Sequence, residues 1–257
     1  RALLAALGSP QSTFRTLLVG GTNGKGSTAA AAASILETAG LRVGLTTSPH
    51  LVAVNERVRL LGRDVTDAAL DSALALVAAV SGEGALRPTY FEALVVAACE
   101  LFRRARVEVG VVEVGIGGRL DATNVLEPEV SVVTNVAADH LETLGPTLAD
   151  VAREKAGIFR RGQPALTAAE NAAIPLAPCS APMPDCCITN RSFDASTDDM
   201  PVSRDSFPTS LPTFSKVLAD FTPNATAAAA PVAANATIAF PAEATLPLRP
   251  PAAPSVS

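Results

Sequence analysis

Apolar residues along this chain follow two alternating rhythms as far as Leu166. Positions 17–20 form a short apolar run that predicts a strand, followed by a glycine-rich turn and an alanine-rich helix over 27–38 that stops at Gly40. Positions 42–46 read as a second strand, and 54–61 alternate weakly before Gly62. Thr66 stands where it caps a helix running to Val80, with Asp67 in the first turn, where negative charge suits the helix dipole. Further helices are predicted over 89–104 and 147–157. The runs 107–114 and 130–136 are apolar and β-branched, as parallel strands buried on both faces require. Strands alternating with helices predict an α/β fold, with an open, mostly parallel sheet flanked by helices.

That rhythm stops near residue 167. All 17 glycines lie at or before Gly162, whereas 14 of the 20 prolines follow residue 167. The sequence therefore predicts a folded unit over 1–167 and a Pro/Ala/Ser/Thr-rich tail over 168–257. A packed α/β unit needs glycine at tight turns and helix ends, and the tail has none. Two accounts of the tail stand: a disordered linker, or a frame change between Thr167 and Pro178 that joins unrelated sequence to the fold. Arg1 is not a natural initiator, so the expectation is a fragment at both ends.

Charge and cysteine usage narrow the function. A net charge of −5 gives no whole-chain field for a polyanion, which argues against a nucleic-acid partner and makes any phosphate site local. No apolar run is long enough for a membrane span or a secretory leader, and the four cysteines fit neither a zinc ribbon nor a stapled secreted domain. A cytoplasmic protein with reduced thiols is expected.

The strongest chemical signal is Gly20-Gly21-Thr22-Asn23-Gly24-Lys25-Gly26-Ser27-Thr28, set between a predicted strand and a predicted helix. Such a loop cradles phosphates with backbone N–H groups, while Lys25 supplies a point charge and the Ser27 hydroxyl reaches Mg²⁺. The general pattern has Ser or Thr straight after the lysine and Gly five positions before Gly24; here Gly26 and Val19 stand there. Glu113 ends the run 107–112 and His140 follows the run 130–136, so both are expected at the carboxyl edge of the sheet, where ligands of open α/β folds bind. Lys155 shares a helical face with Leu148, Val151, Ala152, Ile158 and Phe159. Its amine is either snorkelling to water or buried, and a buried amine tends to lose its proton.

The loop Gly-Thr-Asn-Gly-Lys-Gly-Ser resembles that of the folylpolyglutamate synthase / dihydrofolate synthase branch of the Mur ligase superfamily. The resemblance continues through Thr47-Ser48-Pro49-His50-Leu51, Asn55-Glu56-Arg57, Thr89-Tyr90-Phe91-Glu92-Ala93, the stretch Glu113 to Asn124, Asp139-His140 and Glu154-Lys155-Ala156-Gly157-Ile158, covering residues 1 to about 166 in family order. It implies an ATP-dependent ligase that adds L-glutamate to dihydropteroate or tetrahydrofolate through an acyl phosphate, working as a monomer. It implies ATP on residues 22–28, and two Mg²⁺, one held by Ser27 and Glu113 and the other by His140 and a Lys155 carbamylated by CO₂. Lys25, His140 and Lys155 would be the catalytic set. Phe91 would stack on the pterin and Asp121 hydrogen-bond it, though both also suit structural roles; His50 would shape the mouth of the site. Family members carry a second C-terminal domain with no counterpart in the sequence after 167, so weak nucleotide binding and impaired ligation are expected. Two alternatives remain: a non-catalytic nucleotide-binding fragment, and a P-loop hydrolase in which Asp139 serves as the strand-end aspartate.

Overall fold

A computed structural model of the protein describes residues 1–82 and 86–168 and the backbone of 188–190. The expectation of a disordered or out-of-frame tail lies, apart from 188–190, outside the described residues. Helices α1 (Ala2–Ala6), α2 (Lys25–Thr38), α3 (Asp67–Ser81), α4 (Tyr90–Arg104), α5 (Leu141–Leu144) and α6 (Leu148–Ala156) flank one sheet. Its strands are β1 (Arg15–Gly20), β2 (Val43–Thr46), β3 (Val58–Leu60), β4 (Arg63–Asp64), β5 (Val109–Glu113), β6 (Val130–Val133), β7 (Ala165–Thr167) and β8 (Ile188–Asn190), in the order β4-β3-β2-β5-β1-β6-β7-β8. All neighbours from β2 to β8 pair in parallel, and only the β2–β3 and β3–β4 pairs are antiparallel.

Both faces of the central strands are covered, which explains their unbroken apolar runs. Leu17 and Val19 of β1, with Val109 and Val111 of β5, pack on Ala29, Ala32, Ala33 and Leu36 of α2. Leu18 and Val112 point the other way, into a core with Phe102 and Leu94 of α4 and Val77 of α3. The small alanine face of α2 brings that helix close to the sheet. Thr89 and Glu92 form a capping box at the start of α4: the Glu92 N–H donates to the threonine hydroxyl at 3.2 Å and the Thr89 N–H to the carboxylate at 2.7 Å. Thr147 and Asp150 cap α6 in the same way.

The weakly alternating stretch 54–61 divides in two. Residues 54–57 form a 3₁₀ turn, and only 58–60 enter the sheet, because Leu61 and Gly62 (φ 52° and 75°) reverse the chain into β4. The run 130–136 leaves the sheet after Val133 because Thr134 and Asn135 turn toward the loop after β1.

Gly44 and Gly110 lie side by side across the β2–β5 pair. Together they make the recess in which Phe102 meets Phe14 edge-on, centroids 5.3 Å apart. A Cβ on Gly44 would stand 2.6 Å from two ring carbons of Phe102. Gly44→Ala is therefore expected to destabilise the fold by about 1–3 kcal/mol, the usual range for overpacking, read as a lowered urea midpoint at unchanged slope.

Candidate nucleotide site at the carboxyl edge of the sheet

Strands β1, β2, β5 and β6 run in parallel, so Gly20, Thr46, Glu113 and Val133 end at one edge. The loop Gly20–Thr28 leaves β1 there and enters α2, with Gly24 at the N-cap in the left-handed region (φ 75°). Gly21 is also left-handed, at φ 137°, and lies against Thr134 with no room for a Cβ. Residues 134–137 hold the loop from behind. The Thr22 N–H donates to the Asn135 side-chain oxygen (3.2 Å) and main-chain oxygen (3.0 Å), and the Asn23 N–H to the same side-chain oxygen (2.8 Å). The Thr134 hydroxyl donates to the Asn23 carbonyl at 2.6 Å. The Thr22 hydroxyl bridges the N–H and carbonyl of Ala137, at 3.0 and 3.3 Å.

Glu113 is 5% exposed and lies against the first turn of α2. Its carboxylate accepts the Ser48 N–H at 2.8 Å and also the Gly26 N–H. Burial raises its pKa above the usual carboxylate value, against the opposing pull of those two amides and of the Lys25 and Arg57 charges. This contact accounts for the glycine after Lys25. A Cβ on residue 26 would stand 3.3 Å from the carboxylate, tight enough to push it aside.

Lys25, the first residue of α2, folds back so that its amine donates to the Thr22 carbonyl at 3.1 Å. Ser27 is exposed in the same turn. Lys155 resolves the alternative left by the sequence in favour of burial: it is 2% exposed, and its amine donates to the Gly21 carbonyl at 2.9 Å. Burial brings its pKa down to about 8, helped by the Lys25 charge and opposed by Asp139.

His140 is the N-cap residue before α5, in the left-handed region at φ 50°, with its ring nitrogens 3.7 Å from Asp139 and from Glu142 and its side chain 44% exposed. Among the described residues, no three His, Cys, Asp or Glu side chains converge as a metal cluster. Phe91 and Asp121 meet over Gly115, just past β5: a Cβ there would be 2.8 Å from the Phe91 ring and 3.0 Å from the Asp121 carboxylate. Asp121 also caps the 3₁₀ turn 122–125, taking the Thr123 N–H and hydroxyl on one oxygen and the Ile116 N–H on the other. His50 accepts from the Arg57 Nε at 2.8 Å on its Nδ1, which leaves Nε2 as the protonated nitrogen of the neutral ring. Arg57 itself lies over the Tyr90 ring, 5.5 Å from its centroid.

Ser48, Arg57, Thr134 and Asn135 belong to this edge; the sequence named the first two only within the segments that carry the resemblance, without a role, and assigned none to the last two. For the last two a signal existed: they stand at the carboxyl end of the run 130–136, where ligand-side residues of α/β sheets sit. No helix among the described residues is long and apolar enough to cross a membrane.

Comparison with known proteins supports the same region. The chain is 46% identical over 170 residues to the folylpolyglutamate synthase of Lacticaseibacillus casei, an alignment that spans 64% of this chain and 40% of that one. It resembles the solved structure of E. coli FolC in complex with DHPP and ADP, with a TM-score of 0.61 and 41% identity over 65% of this chain and 41% of the other. It resembles equally a bifunctional folylpolyglutamate synthase/dihydrofolate synthase with Mn, AMPPNP and L-glutamate bound, with a TM-score of 0.62 and 39% identity over 66% and 41% of the two chains. The chain thus spans about two-fifths of the length of these relatives. The Mur ligase middle domain matches residues 19–194, from the end of β1 to just past β8, and with the sheet order and the loop geometry this places the chain in the Mur ligase family as a member carrying its middle domain.

Proposed function

We propose that this chain is the ATP-binding part of a ligase that joins L-glutamate to dihydropteroate or to a reduced folate. The observation that carries the reading is the buried Glu113 carboxylate set against the first turn of α2, beside Gly26 and within the field of Lys25. A carboxylate kept out of water, whose burial outweighs the pull of two amides and of the Lys25 and Arg57 charges, is a hard oxygen ligand for a cation. Mg²⁺ characteristically takes one or two protein oxygens and completes its shell with phosphate and water, so the absence of a three-residue cluster among the described residues fits it. Glu113 and the Ser27 hydroxyl would hold that ion; His140 and Lys155, the latter once carbamylated, would hold a second. Bound there, the metal supplies charge to the oxygens of the transferring phosphoryl group.

The chain's own groups do the rest by position and electrostatics. The amides of Lys25 and Ser27 and the Lys25 ammonium hold the terminal phosphates. Phe91 offers a half-buried ring for the pterin, and Asp121 keeps lone-pair capacity on the oxygen facing it. The substrate carboxylate attacks the γ-phosphorus, ADP leaves, and the resulting acyl phosphate is opened by the amine of glutamate, which forms the amide as inorganic phosphate departs. The P-loop hydrolase is the weaker reading: no parallel strand among the described residues ends in aspartate, and Asp139 lies six positions beyond β6.

The test takes the whole chain, titrates it with ATP and Mg²⁺, and then assays transfer of labelled glutamate to dihydropteroate. ATP binding with amide formation supports the ligase. Binding without amide formation marks a nucleotide-binding piece, and the absence of ATP binding overturns the proposal.

A further inference from the structure

The phosphate loop does not offer all its amides to a ligand. In the middle of the glycine-rich stretch the Asn23 N–H donates to the side-chain oxygen of Asn135 at 2.8 Å, the Thr22 N–H is shared between that oxygen (3.2 Å) and the Asn135 main-chain oxygen (3.0 Å), and the Gly26 N–H is taken by Glu113. The first helical bond is that of the Thr28 N–H to the Gly24 carbonyl, so at the helix start the amides of Gly24, Lys25 and Ser27 are left for a ligand. The Asn23 carbonyl, which would otherwise face the anion site, is turned away and held by the Thr134 hydroxyl at 2.6 Å. Thr134 also fills the space beside Gly21, the one loop residue at φ 137°. Two consecutive side chains after β6 thus grip two consecutive loop residues, one by accepting and one by donating.

We infer that Asn135, with Thr134, is a positioning residue of the nucleotide site: it ties down the front half of the loop so that the amides of Lys25 and Ser27 and the Lys25 amine converge on the phosphates. Asn135 need not touch the nucleotide. Its work is done by acceptor oxygens: the side-chain oxygen takes the Asn23 amide and shares that of Thr22 with the main-chain oxygen. The site is thereby preorganised, and the ordering of the loop is complete before ligand arrives rather than opposing its binding. This inference rests on the ATP-binding reading above, and its test separates the two.

Amide hydrogen exchange is measured over residues 20–28 in the full chain without nucleotide, and ATP affinity is measured by calorimetry, for the wild type, Asn135→Ala, Asn135→Asp and Thr134→Val. Asn135→Ala is expected to speed exchange at Asn23 at least tenfold, to leave Thr22 slow because its N–H keeps the Asn135 main-chain oxygen at 3.0 Å, and to weaken ATP binding roughly 2- to 10-fold, as loss of one hydrogen bond of ordinary net strength predicts. Asn135→Asp keeps the side-chain acceptor oxygen and is expected to restore slow exchange at Asn23. Thr134→Val keeps the shape without the hydroxyl, so it is expected to weaken ATP binding by a smaller factor at unchanged Tm; it carries the test if Asn135→Ala does not fold. Unchanged exchange at Asn23 in Asn135→Ala overturns the inference, as does exchange there in Asn135→Asp as fast as in Asn135→Ala. A wild type that shows slow exchange at Thr22 and Asn23 yet binds no ATP overturns the functional reading and leaves the clamp a structural device.

Discussion

Lys25→Met is expected to weaken ATP binding by about 100-fold while leaving the melting temperature close to that of the wild type. A charge-assisted hydrogen bond to phosphate is worth about 1.5–3 kcal/mol, and each 1.4 kcal/mol is tenfold in affinity, so one such contact accounts for roughly 10- to 150-fold. The upper part of the range applies because the amine is already in place: it is folded over the loop onto the Thr22 carbonyl, so little side-chain freedom is left to lose on binding. Stability changes little, because Lys25 is only half-buried and its one described hydrogen bond is to a loop carbonyl. Lys25→Arg is expected to recover little, since a longer, forked guanidinium does not fit where a compact ammonium folds back. The substitution also removes the positive charge that lowers the pKa of both Glu113 and Lys155, so both are expected to titrate at higher pH in the variant. Calorimetric titration with ATP is the measurement; a variant that binds as tightly as the wild type would move the phosphate site away from this loop.

What the sequence made legible follows from which interactions are local. The strands β1 and β5 and the helices α2, α3, α4 and α6 were readable because their signals lie within a few residues of one another: β-branched runs, an alanine stripe, and the capping residues Thr66, Thr89 and Thr147. The hairpin of β3 and β4 was not, because its turn is made by Leu61 at positive φ, a position for which leucine carries no signal. The two-residue β4 and the three-residue β7 are too short for any period to register. Within the site, Lys25, Ser27 and Glu113 announced themselves by loop pattern and strand-end position. The burial of Lys155 was half-legible: the helical stripe placed it on an apolar face, but its partner, the Gly21 carbonyl, lies 134 positions away. The grip of Asn135 on Thr22 and Asn23 spans 113 and 112 positions and leaves no local trace. The reason for Gly26 in place of serine or threonine is likewise visible only once Glu113 stands beside it.

Glu113→Gln is expected to make the apo protein more stable at neutral pH and to abolish the gain in ATP affinity that Mg²⁺ provides. The first effect follows from the direction of the pKa shift. Burial raises the folded-state pKa of Glu113 above its unfolded value of 4.5, so the neutral form is the one the fold prefers. A raised pKa contributes stability that is present below pH 4.5 and is lost as pH rises through the folded value; above that window the buried carboxyl is a burden, only partly relieved by the Ser48 and Gly26 amides and the Lys25 and Arg57 charges. Glutamine removes the charge and keeps one acceptor oxygen. In a chelating buffer at pH 7 its melting temperature is expected to exceed that of the wild type by about 2–4 °C for each kcal/mol relieved, and the difference should close as pH falls toward 4. The second effect has the opposite sense. An amide oxygen is a far poorer ligand for a hard cation, so ATP affinity in Glu113→Gln should be the same with Mg²⁺ as without, whereas the wild type should gain about tenfold or more. Gain of stability together with loss of metal response is the signature of a group held in strain for a ligand. If the variant is instead less stable at pH 7 and still responds to Mg²⁺, the carboxylate serves as an acceptor that ties Ser48 to the first turn of α2, and the cation must be sought elsewhere on this edge.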